Sequence, residues 1–227
     1  QTPWDLEGVD YLHLTSNETI NGVQLREFNK IEHDSLLVDM SSDIGSYSFE
    51  WDNLAYVYAG AQKNMGIPGV SICIGDEKYL NSEDNSRYLN LGQLVEKNSL
   101  LNTPPTFSIY VLKLVTDWMI EMGGINHFEE KSIRQSSRLY EQLESYGDFV
   151  IIPVSDYSKS RSNIIFKFKN EDLEKKFLIE ATEKGILGLN GHRSQGGIRI
   201  SLYNSITDEM VDYLSEYIDK FFADYGK

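Results

Sequence analysis

Three near-continuous apolar runs in the first third of the chain most constrain its fold. They are SLLVDMS (35–41), LAYVYAG (54–60) and VSICIG (70–75). Runs of this kind are typical of strands that are covered on both faces, as in a parallel sheet packed between helices. We therefore predict an α/β fold with a mostly parallel sheet.

Weaker patterns complete the predicted order of elements. Asn102 and Thr103 have N-cap chemistry, Pro104 suits a first helical turn, and Gly123 and Gly124 end that helix. Further strands are predicted at 11–14, 149–154, 162–168 and 196–203, and further helices at 126–147, 173–185 and 207–226. The pattern changes within the helix at 126–147, which predicts a larger domain at 1–130 and a smaller α/β domain at 131–227.

Composition excludes several functional classes. The net charge of −14 argues against nucleic acid as a partner, because phosphate backbones require clustered Lys and Arg. No apolar stretch is long enough to span a bilayer, so no membrane partner is expected. A single cysteine, Cys73, cannot form an internal disulfide, which favours a reducing compartment such as the cytoplasm. The four histidines are far apart, and no metal site is predicted.

Lys63 lies in a glycine-rich turn between two apolar runs, in AGAQKNMGIPG (59–69). Apolar flanks should partly bury the amine, which favours its neutral form, and a neutral amine is the nucleophile that forms Schiff bases. The surrounding glycines would let a bulky planar group approach the backbone. The alternative is an ordinary solvated loop lysine.

Asp39 lies near the end of the run at 35–41, where buried strands of α/β sheets reach a binding crevice. If this strand and the strand at 54–60 are parallel, Asp39 and Lys63 lie at the same end of the sheet. A buried carboxylate can keep a ring nitrogen protonated, as a pyridoxal cofactor requires. The alternative is an acidic residue that caps a turn.

Two other segments could bind anions. Asn102 and Thr103 are predicted at a helix N-terminus, where free N–H groups and the helix dipole attract anions, although a plain helix cap explains them better. GHRSQGGIR (191–199) carries a histidine and two arginines around a Gly-Gly turn, and Arg binds carboxylate and phosphate in bidentate fashion. An anion pocket and a turn with solvated charges are equally good interpretations of this segment.

Five segments, in this order, carry a resemblance to a known family: SNETINGVQ (16–24), DMSSDIGS (39–46), YAGAQKNMGIPGV (58–70), NTPPTFSIYVL (102–112) and GHRSQGGIRISLYN (191–204). They resemble the corresponding segments of the phosphoserine aminotransferases, and AGAQKN and NTPPT are the most specific. The resemblance implies a pyridoxal-phosphate-dependent enzyme of the aspartate-aminotransferase fold. Its large domain is a three-layer α/β/α sandwich, and a smaller α/β domain follows.

The resemblance also implies cofactor-binding roles. Lys63 would form the Schiff base with pyridoxal 5′-phosphate and move the proton between the α-carbon and C4′. Asp39 would pair with the ring nitrogen, Thr19 with the phenolic oxygen and Gln62 with the phosphate. In a homodimer with shared active sites, Asn102 and Thr103 would reach the cofactor phosphate of the neighbouring subunit.

The implied reaction is reversible amino transfer between glutamate and 3-phosphohydroxypyruvate, which gives O-phospho-L-serine and 2-oxoglutarate. His192 and Arg193 would bind the substrate phosphate, and Arg199 would bind the α-carboxylate. Two residues depart from the family pattern. Tyr47 replaces an arginine that usually precedes a proline, and Gln195 is unusual between Arg193 and Arg199.

The resemblance covers a little more than the second half of the family's chain. The first strands of the large domain, a phosphate-binding loop and the aromatic residue that stacks on the cofactor would lie upstream of Gln1. A sheet without those strands would expose an unpaired edge and apolar faces, so we expect these 227 residues to need the N-terminal portion for stable folding. A cooperative thermal transition of the isolated polypeptide at low micromolar concentration would contradict that expectation.

Two other functions compete with amino transfer by this enzyme. A cysteine desulfurase of the same fold needs a mobile, exposed cysteine, whereas Cys73 in VSICIG is predicted to belong to the core. A catalytically silent subunit or fragment would keep the fold without a complete site. The joint presence of Lys63, Asp39 and Arg199 favours the enzyme.

Overall fold

The computed structural model describes residues 6–51, 54–80 and 90–226. Its strands are β1 (Leu12–Thr15), β2 (Asn17–Glu18), β3 (Val23–Gln24), β4 (Leu36–Asp39), β5 (Leu54–Gly60), β6 (Ser71–Gly75), β7 (Val150–Ile151), β8 (Asn163–Phe168) and β9 (Ile198–Ser201). Its α-helices are α1 (Glu77–Leu80), α2 (Leu91–Glu96), α3 (Thr106–Glu121), α4 (Gly124–Ser145), α5 (Glu171–Glu183) and α6 (Asp208–Tyr225). None of these helices is both long enough and apolar enough to cross a bilayer.

Contacts between Cα atoms divide the chain into two compact units. Unit 1 takes the described residues of Gln1–Ser16, Leu25–Ile44 and Ser48–Gly124, and unit 2 takes those of Asn17–Gln24, Gly45–Tyr47 and Ile125–Lys227. The main change from unit 1 to unit 2 therefore comes at the start of α4, whereas the sequence places the domain boundary further along that helix. The assignment of 1–130 and 131–227 to the family's large and small domains stays a prediction.

Unit 1 contains a four-stranded sheet in the order β1-β4-β5-β6. β1 pairs with β4 and β4 pairs with β5 in parallel, with Thr15 opposite Asp39 and Asp39 opposite Tyr58. β6 is antiparallel to β5. The predicted α/β class with a mostly parallel sheet is confirmed.

The two faces of this sheet differ in burial. Along β5, Ala55, Val57 and Ala59 are buried, whereas the alternating residues Tyr56 and Tyr58 are only half-buried. Because successive side chains of a strand point to opposite faces, one face of the sheet is apolar core and the other carries partly exposed polar groups. The expectation that all three apolar runs are covered on both faces is therefore too strong.

β6 departs most from the expected pattern. It is the last strand of the described sheet, and Cys73 at its centre is exposed rather than part of the core. Cys73 lies opposite Tyr58 in the register, on the less buried face. An end strand packs against one neighbour only, so an apolar sequence there does not ensure burial. The prediction of a core cysteine is wrong.

α3 begins later than its sequence predicts. Its first residue is Thr106, and Pro105 occupies the N-cap position without any side-chain capping bond. The residue before a proline is disfavoured in the helical conformation, so Thr103 and Pro104, which both precede prolines, remain outside the helix. Asn102 and Thr103 therefore do not cap α3, and the helix-terminus argument for an anion site at these two residues is wrong.

α4 begins earlier than its sequence predicts. Gly123 and Gly124 have φ angles of 114° and 69°, in the left-handed region that favours glycine. They end α3 and allow α4 to start at Gly124. Asn126, where the sequence predicts this helix to begin, lies inside α4 for this reason.

Unit 2 is built around an antiparallel sheet in the order β7-β8-β9. Its apolar core is rich in aromatic rings and comes from this sheet and from α4, α5 and α6; its fully buried side chains include Leu139, Leu143, Ile164, Phe166, Phe177, Ile198 and Ile218. Side-chain caps start two of the helices, since Asn170 accepts from Asp172 N and Leu173 N, and Thr207 accepts from Met210 N. These caps place α5 and α6 within two residues of their predicted starts.

A buried polar network fixes the short β2–β3 hairpin in unit 2. Asn17 donates to Asn163 Oδ1 at 2.9 Å and accepts from Ser160 Oγ at 2.5 Å. Ser160 also accepts from the backbone N–H of Asn163 at 2.9 Å, and all three side chains are at most 1% exposed. Networks of hydrogen-bonded buried side chains rigidify their surroundings, so the backbone next to the Thr19 turn is held in place.

Candidate active site

Lys63 lies in the tight turn that follows β5. The turn closes with Ala61 N donating to Val70 O and Met65 N donating to Ala61 O, both at 3.0 Å. Its neighbour Asn64 is buried and donates its side-chain amide to Ile44 O at 3.0 Å. The backbone that carries Lys63 is therefore held in place, and the lysine side chain is half-buried.

Asp39 is the last residue of β4, the parallel neighbour of β5. Its Oδ1 atom accepts from the backbone N–H of Ser41 at 2.8 Å, and Ser41 Oγ accepts from Gly60 N at 3.2 Å. The ends of β4 and β5 are thus joined at the edge of the sheet from which the Lys63 turn departs. Because β4 and β5 are parallel, Asp39 at the end of β4 and Lys63 just after β5 lie at the same end of the sheet.

Tyr58 and His13 lie beside Asp39 on the sheet. Tyr58 is directly opposite Asp39 in the strand register, and burial together with the Asp39 charge raises the pKa of Tyr58. His13 Nε2 lies 3.0 Å from the Tyr58 hydroxyl, and the two rings stack with centroids 5.9 Å apart. Tyr58 lies in the specific segment 58–70, but only the strand register shows that it is adjacent to Asp39.

Two glycines near Lys63 have different surroundings. A Cβ on Gly66 would lie 3.5 Å from the Cα of Leu112, which is an ordinary contact distance. A Cβ on Gly60 would overlap the side-chain amide of Gln62, which is the flexible end of a side chain. That these glycines let a planar group approach the backbone stays a prediction.

Asn102 and Thr103 are exposed and precede α3. They line a cavity of about 450 Å³ in unit 1 together with Ser71, Cys73 and Ile109, among others. Neither Asp39 nor Lys63 is among the residues that line this cavity. Within unit 1, the structure therefore places the two predicted phosphate-binding residues at a different cavity from the predicted Schiff-base lysine.

In unit 2, the predicted substrate residues lie on the loop before β9 and on β9 itself. Asn190 bridges to Ile198, and Gly191 N donates to Gly197 O at 2.9 Å, which closes the loop. A Cβ on Gly191 would overlap Gly196 O, so only glycine fits at this closure. His192, Arg193 and Gln195 are exposed at the tip.

The ring of His192 is oriented by its own loop. The backbone N–H of Ser194 donates to His192 Nδ1 at 3.2 Å, and Ser194 Oγ lies 2.8 Å from the same atom. Because a backbone N–H can only donate, Nδ1 is an acceptor and the ring proton is on Nε2. His192 can therefore offer an Nε2–H donor to an anion.

Arg199 is half-buried on β9, and its Nε atom is buried. Among the described residues, no acceptor lies within hydrogen-bonding distance of that Nε. A buried N–H donor without a partner is costly, which makes this position suited to an anionic ligand.

Three other residues of interest belong to unit 2. Thr19 is half-buried in the turn between β2 and β3. Tyr47, which departs from the family pattern, is only 3% exposed. Gln195 donates its backbone N–H to His192 O at 2.9 Å, so its backbone helps to shape the loop.

The candidate residues thus fall into two sets by unit. Unit 1 holds Asp39, Gln62, Lys63, Asn102 and Thr103, whereas unit 2 holds Thr19, His192, Arg193 and Arg199. Within residues 6–51, 54–80 and 90–226, no group of three or more His, Cys, Asp or Glu side chains is placed to bind a metal ion. The candidate residues themselves supply an amine, a carboxylate and several anion-binding donors.

Comparison with known proteins agrees with this chemistry. The chain is 42% identical to the phosphoserine aminotransferase of Geobacillus kaustophilus over 213 residues, which are 93% of this chain and 59% of that protein. The solved phosphoserine aminotransferase of Bacillus circulans subsp. alkalophilus superimposes with a TM-score of 0.91 at 38% identity, over 94% of this chain and 60% of that one. The pyridoxal-phosphate-bound enzyme from Trichomonas vaginalis gives a TM-score of 0.86 at 30% identity, over 92% and 60%.

The match covers most of this chain but only part of its relatives. The chain spans about 60% of the length of the relatives it matches. Residues 4–214 match the aminotransferase class-V family as a whole. The chain belongs to the class-V aminotransferases.

Proposed function

We propose that the protein carrying this chain is a pyridoxal-phosphate-dependent phosphoserine aminotransferase. It would catalyse reversible amino transfer between glutamate and 3-phosphohydroxypyruvate, giving O-phospho-L-serine and 2-oxoglutarate. The observation that carries the proposal is the placement of Asp39 and Lys63, which lie at the carboxyl ends of two adjacent parallel strands. The identity of about 40% with phosphoserine aminotransferases supports the choice of substrate.

The residues present fit a pyridoxal phosphate cofactor. Lys63 supplies a half-buried amine on a fixed turn, and Asp39 supplies a carboxylate whose Oδ1 is already oriented by Ser41 N. When bound, the cofactor would withdraw electrons from the substrate α-carbon and so make its proton acidic. Asp39 would hold a proton on the ring nitrogen, Gln62 would contact the phosphate, and Thr19 of unit 2 would bind the phenolic oxygen.

Lys63 would hold the cofactor covalently and act as the base. Its Nζ atom would take the proton from the substrate α-carbon and later release it to complete the amino transfer. A base for this step must be placed precisely, and the turn from Ala61 to Met65 is held by three hydrogen bonds that fix its backbone. Proton transfer by a positioned group contributes about 10²- to 10⁴-fold in rate.

Unit 2 would supply the anion-binding groups for the substrate. Arg199 would bind the α-carboxylate, because its buried Nε donor has no acceptor among the described residues. His192, through its Nε2–H, and Arg193 would bind the phosphate of the substrate. Glutamate carries a second carboxylate where the other substrate carries a phosphate, so the same donors would serve both.

We further propose a homodimer with shared active sites, in which Asn102 and Thr103 reach the cofactor phosphate of the second copy. α3 supports this because Phe107, Tyr110 and Leu114, three and four residues apart along one face, are 71%, 55% and 47% exposed. An exposed apolar stripe of this kind marks an interaction surface. The N-terminal portion of the enzyme would be a further partner, and a cytoplasmic location is proposed from the single cysteine.

The direct test is formation of O-phospho-L-serine from glutamate and 3-phosphohydroxypyruvate by the protein as isolated, with pyridoxal phosphate added. We expect turnover that depends on the cofactor and on the substrate phosphate, with hydroxypyruvate a much poorer acceptor. Bound cofactor without turnover on any phosphorylated 2-oxo acid would instead support the alternative of a catalytically silent or incomplete subunit. Turnover that is equal with hydroxypyruvate would contradict the roles given to His192 and Arg193.

The desulfurase alternative finds no support in the geometry of Cys73. The thiol is exposed, but it lies within β6, paired opposite Tyr58. A cysteine that must travel to a substrate needs a mobile loop, whereas a strand residue is held by its backbone ladder.

A further inference from the structure

We propose that Tyr58, supported by His13, is a positioning residue that orients and charges the Asp39 carboxylate for its contact with the cofactor ring nitrogen. This inference rests on the proposed function and adds residues to its site. Tyr58 would not touch the reacting atoms. It would act through Asp39, whose other contact at Oδ1 is the backbone N–H of Ser41.

The strand register brings the three side chains together. Asp39 on β4 lies directly opposite Tyr58 on β5, so the two side chains emerge on the same face of the sheet. His13 lies two residues before Thr15, the β1 residue opposite Asp39, and therefore shares that face. The rings of His13 and Tyr58 stack, and His13 Nε2 lies 3.0 Å from the Tyr58 hydroxyl. His13, Tyr58 and Asp39 thus form a row of side chains across one face of the sheet.

The direction of these hydrogen bonds follows from donor chemistry. An ionised carboxylate can only accept, so in the proposed contact Tyr58 would give its single hydroxyl proton to Asp39. The Tyr58 oxygen would then be left as an acceptor for a proton on His13 Nε2. In this arrangement His13 donates to Tyr58 and Tyr58 donates to Asp39, and such chains strengthen each member by polarisation.

The physical environment keeps the central hydroxyl a donor. Burial and the neighbouring Asp39 charge both raise the pKa of Tyr58, so the phenol stays protonated across the working pH range. Among the described residues, the other titratable groups near these three side chains are Cys73 opposite Tyr58, Asp43, which accepts from Ser16 Oγ, and Lys63 beyond β5. Tyr56 is a further one, with its ring centroid 6.2 Å from that of Tyr58.

Loss of the hydroxyl has a definite consequence for the proton shared by Asp39 and the ring nitrogen. A carboxylate that loses a donor binds a proton more tightly, so this proton would shift from the ring nitrogen towards Asp39. A ring with less positive charge withdraws fewer electrons, which leaves the nitrogen of Lys63 more basic. The visible absorbance of the bound cofactor reports the protonation of that nitrogen.

The experiment compares Tyr58→Phe with Tyr56→Phe in the cofactor-loaded protein. Tyr56 is the matched control because it lies on the same strand and face, is also half-buried, and has its hydroxyl against Cys73 instead of Asp39. We expect the pH midpoint of the absorbance change to rise by about 0.5 to 1 unit in Tyr58→Phe. We also expect the cofactor to leave about tenfold faster on dialysis. Tyr56→Phe should match the wild type in both measurements.

His13→Phe tests the outer member of the row. It keeps a ring to stack on Tyr58, removes the N–H donor, and changes an exposed side chain that folding tolerates. The midpoint should move in the same direction by a smaller amount, and His13→Phe should add nothing to Tyr58→Phe in the double variant. If Tyr58→Phe does not fold, the shift in His13→Phe alone decides the question.

The outcomes separate the inference from the function on which it rests. A wild-type protein that takes up no pyridoxal phosphate overturns the proposed function, and the inference with it. A protein that binds the cofactor, but in which Tyr58→Phe and Tyr56→Phe have the same midpoint and release rate, overturns the inference alone. A downward shift of the midpoint also contradicts it.

Discussion

Replacing Lys63 by alanine is expected to lower kcat for O-phospho-L-serine formation by about 10⁴-fold. The variant lacks the amine that would hold the cofactor and move the proton at the α-carbon. It should still fold, because hydrogen bonds made by Ala61, Met65 and Asn64 hold the turn. Steady-state kinetics with saturating pyridoxal phosphate measure the loss.

Lys220→Ala provides the matched control for this prediction. Lys220 is an exposed lysine of α6 that pairs with Asp224 one helical turn away, and exposed pairs of this kind contribute little to stability. This variant should retain wild-type kinetics. Added methylamine should restore part of the rate of Lys63→Ala, since a small amine can supply the missing base. Undiminished turnover in Lys63→Ala would remove Lys63 from the mechanism.

Replacing Arg199 by glutamine is expected to lower kcat/KM for both amino donors by about 150-fold, which corresponds to about 3 kcal/mol. Glutamine retains a polar end group but loses the charge and the buried Nε–H donor. An anionic carboxylate would then be desolvated without its charged partner, which is the costly case. The loss should appear mainly in KM, because the contact is made in the bound substrate as well as in the transition state.

Arg138→Gln is the control for the arginine substitution. Arg138 lies on α4, is about half exposed and forms an ion pair with Asp212, so its removal should change kcat/KM less than twofold. Titration with a dicarboxylate inhibitor would show the same contrast in binding alone. Equal kinetics for Arg199→Gln and Arg138→Gln would show that Arg199 does not bind the substrate carboxylate.

Much of the fold could be predicted from sequence because burial and periodicity determine it. The runs at 35–41 and 54–60 became adjacent parallel strands, and the helices at 173–185 and 207–226 start within two residues of expectation. The apolar run at 70–75 was misleading, because β6 lies at the end of the described sheet, where an apolar sequence does not ensure cover. A strand's position within a sheet depends on the whole fold and cannot be read from its own residues.

The helix starts show a second limit. N-cap chemistry at Asn102 and Thr103 predicted a helix there, but two consecutive prolines delay α3 until Thr106. Asn126 also has N-cap chemistry, yet α4 begins at Gly124, because two left-handed glycines make the turn. Local backbone restrictions therefore outweighed side-chain propensity at both positions.

Only some residues of the candidate site could likewise be predicted from the sequence. The placement of Asp39 and Lys63 could be predicted because Asp39 lies near the end of one apolar run and Lys63 follows the next, and parallel neighbours place such ends at one edge of a sheet. Tyr58 and His13 could not, since their relation to Asp39 depends on the strand register and on the direction of the side chains. The unpartnered Nε of Arg199 likewise emerges only from the packing of β9.

The central claim is that Lys63 holds pyridoxal phosphate through its side-chain nitrogen. Borohydride reduction of the protein as isolated with its cofactor, followed by proteolysis and mass spectrometry, tests it directly. We expect a phosphopyridoxyl group on the peptide that contains Lys63, and no such group in Lys63→Ala. A stoichiometric adduct on a different lysine, or an unmodified Lys63 peptide in protein that visibly binds the cofactor, would contradict the account.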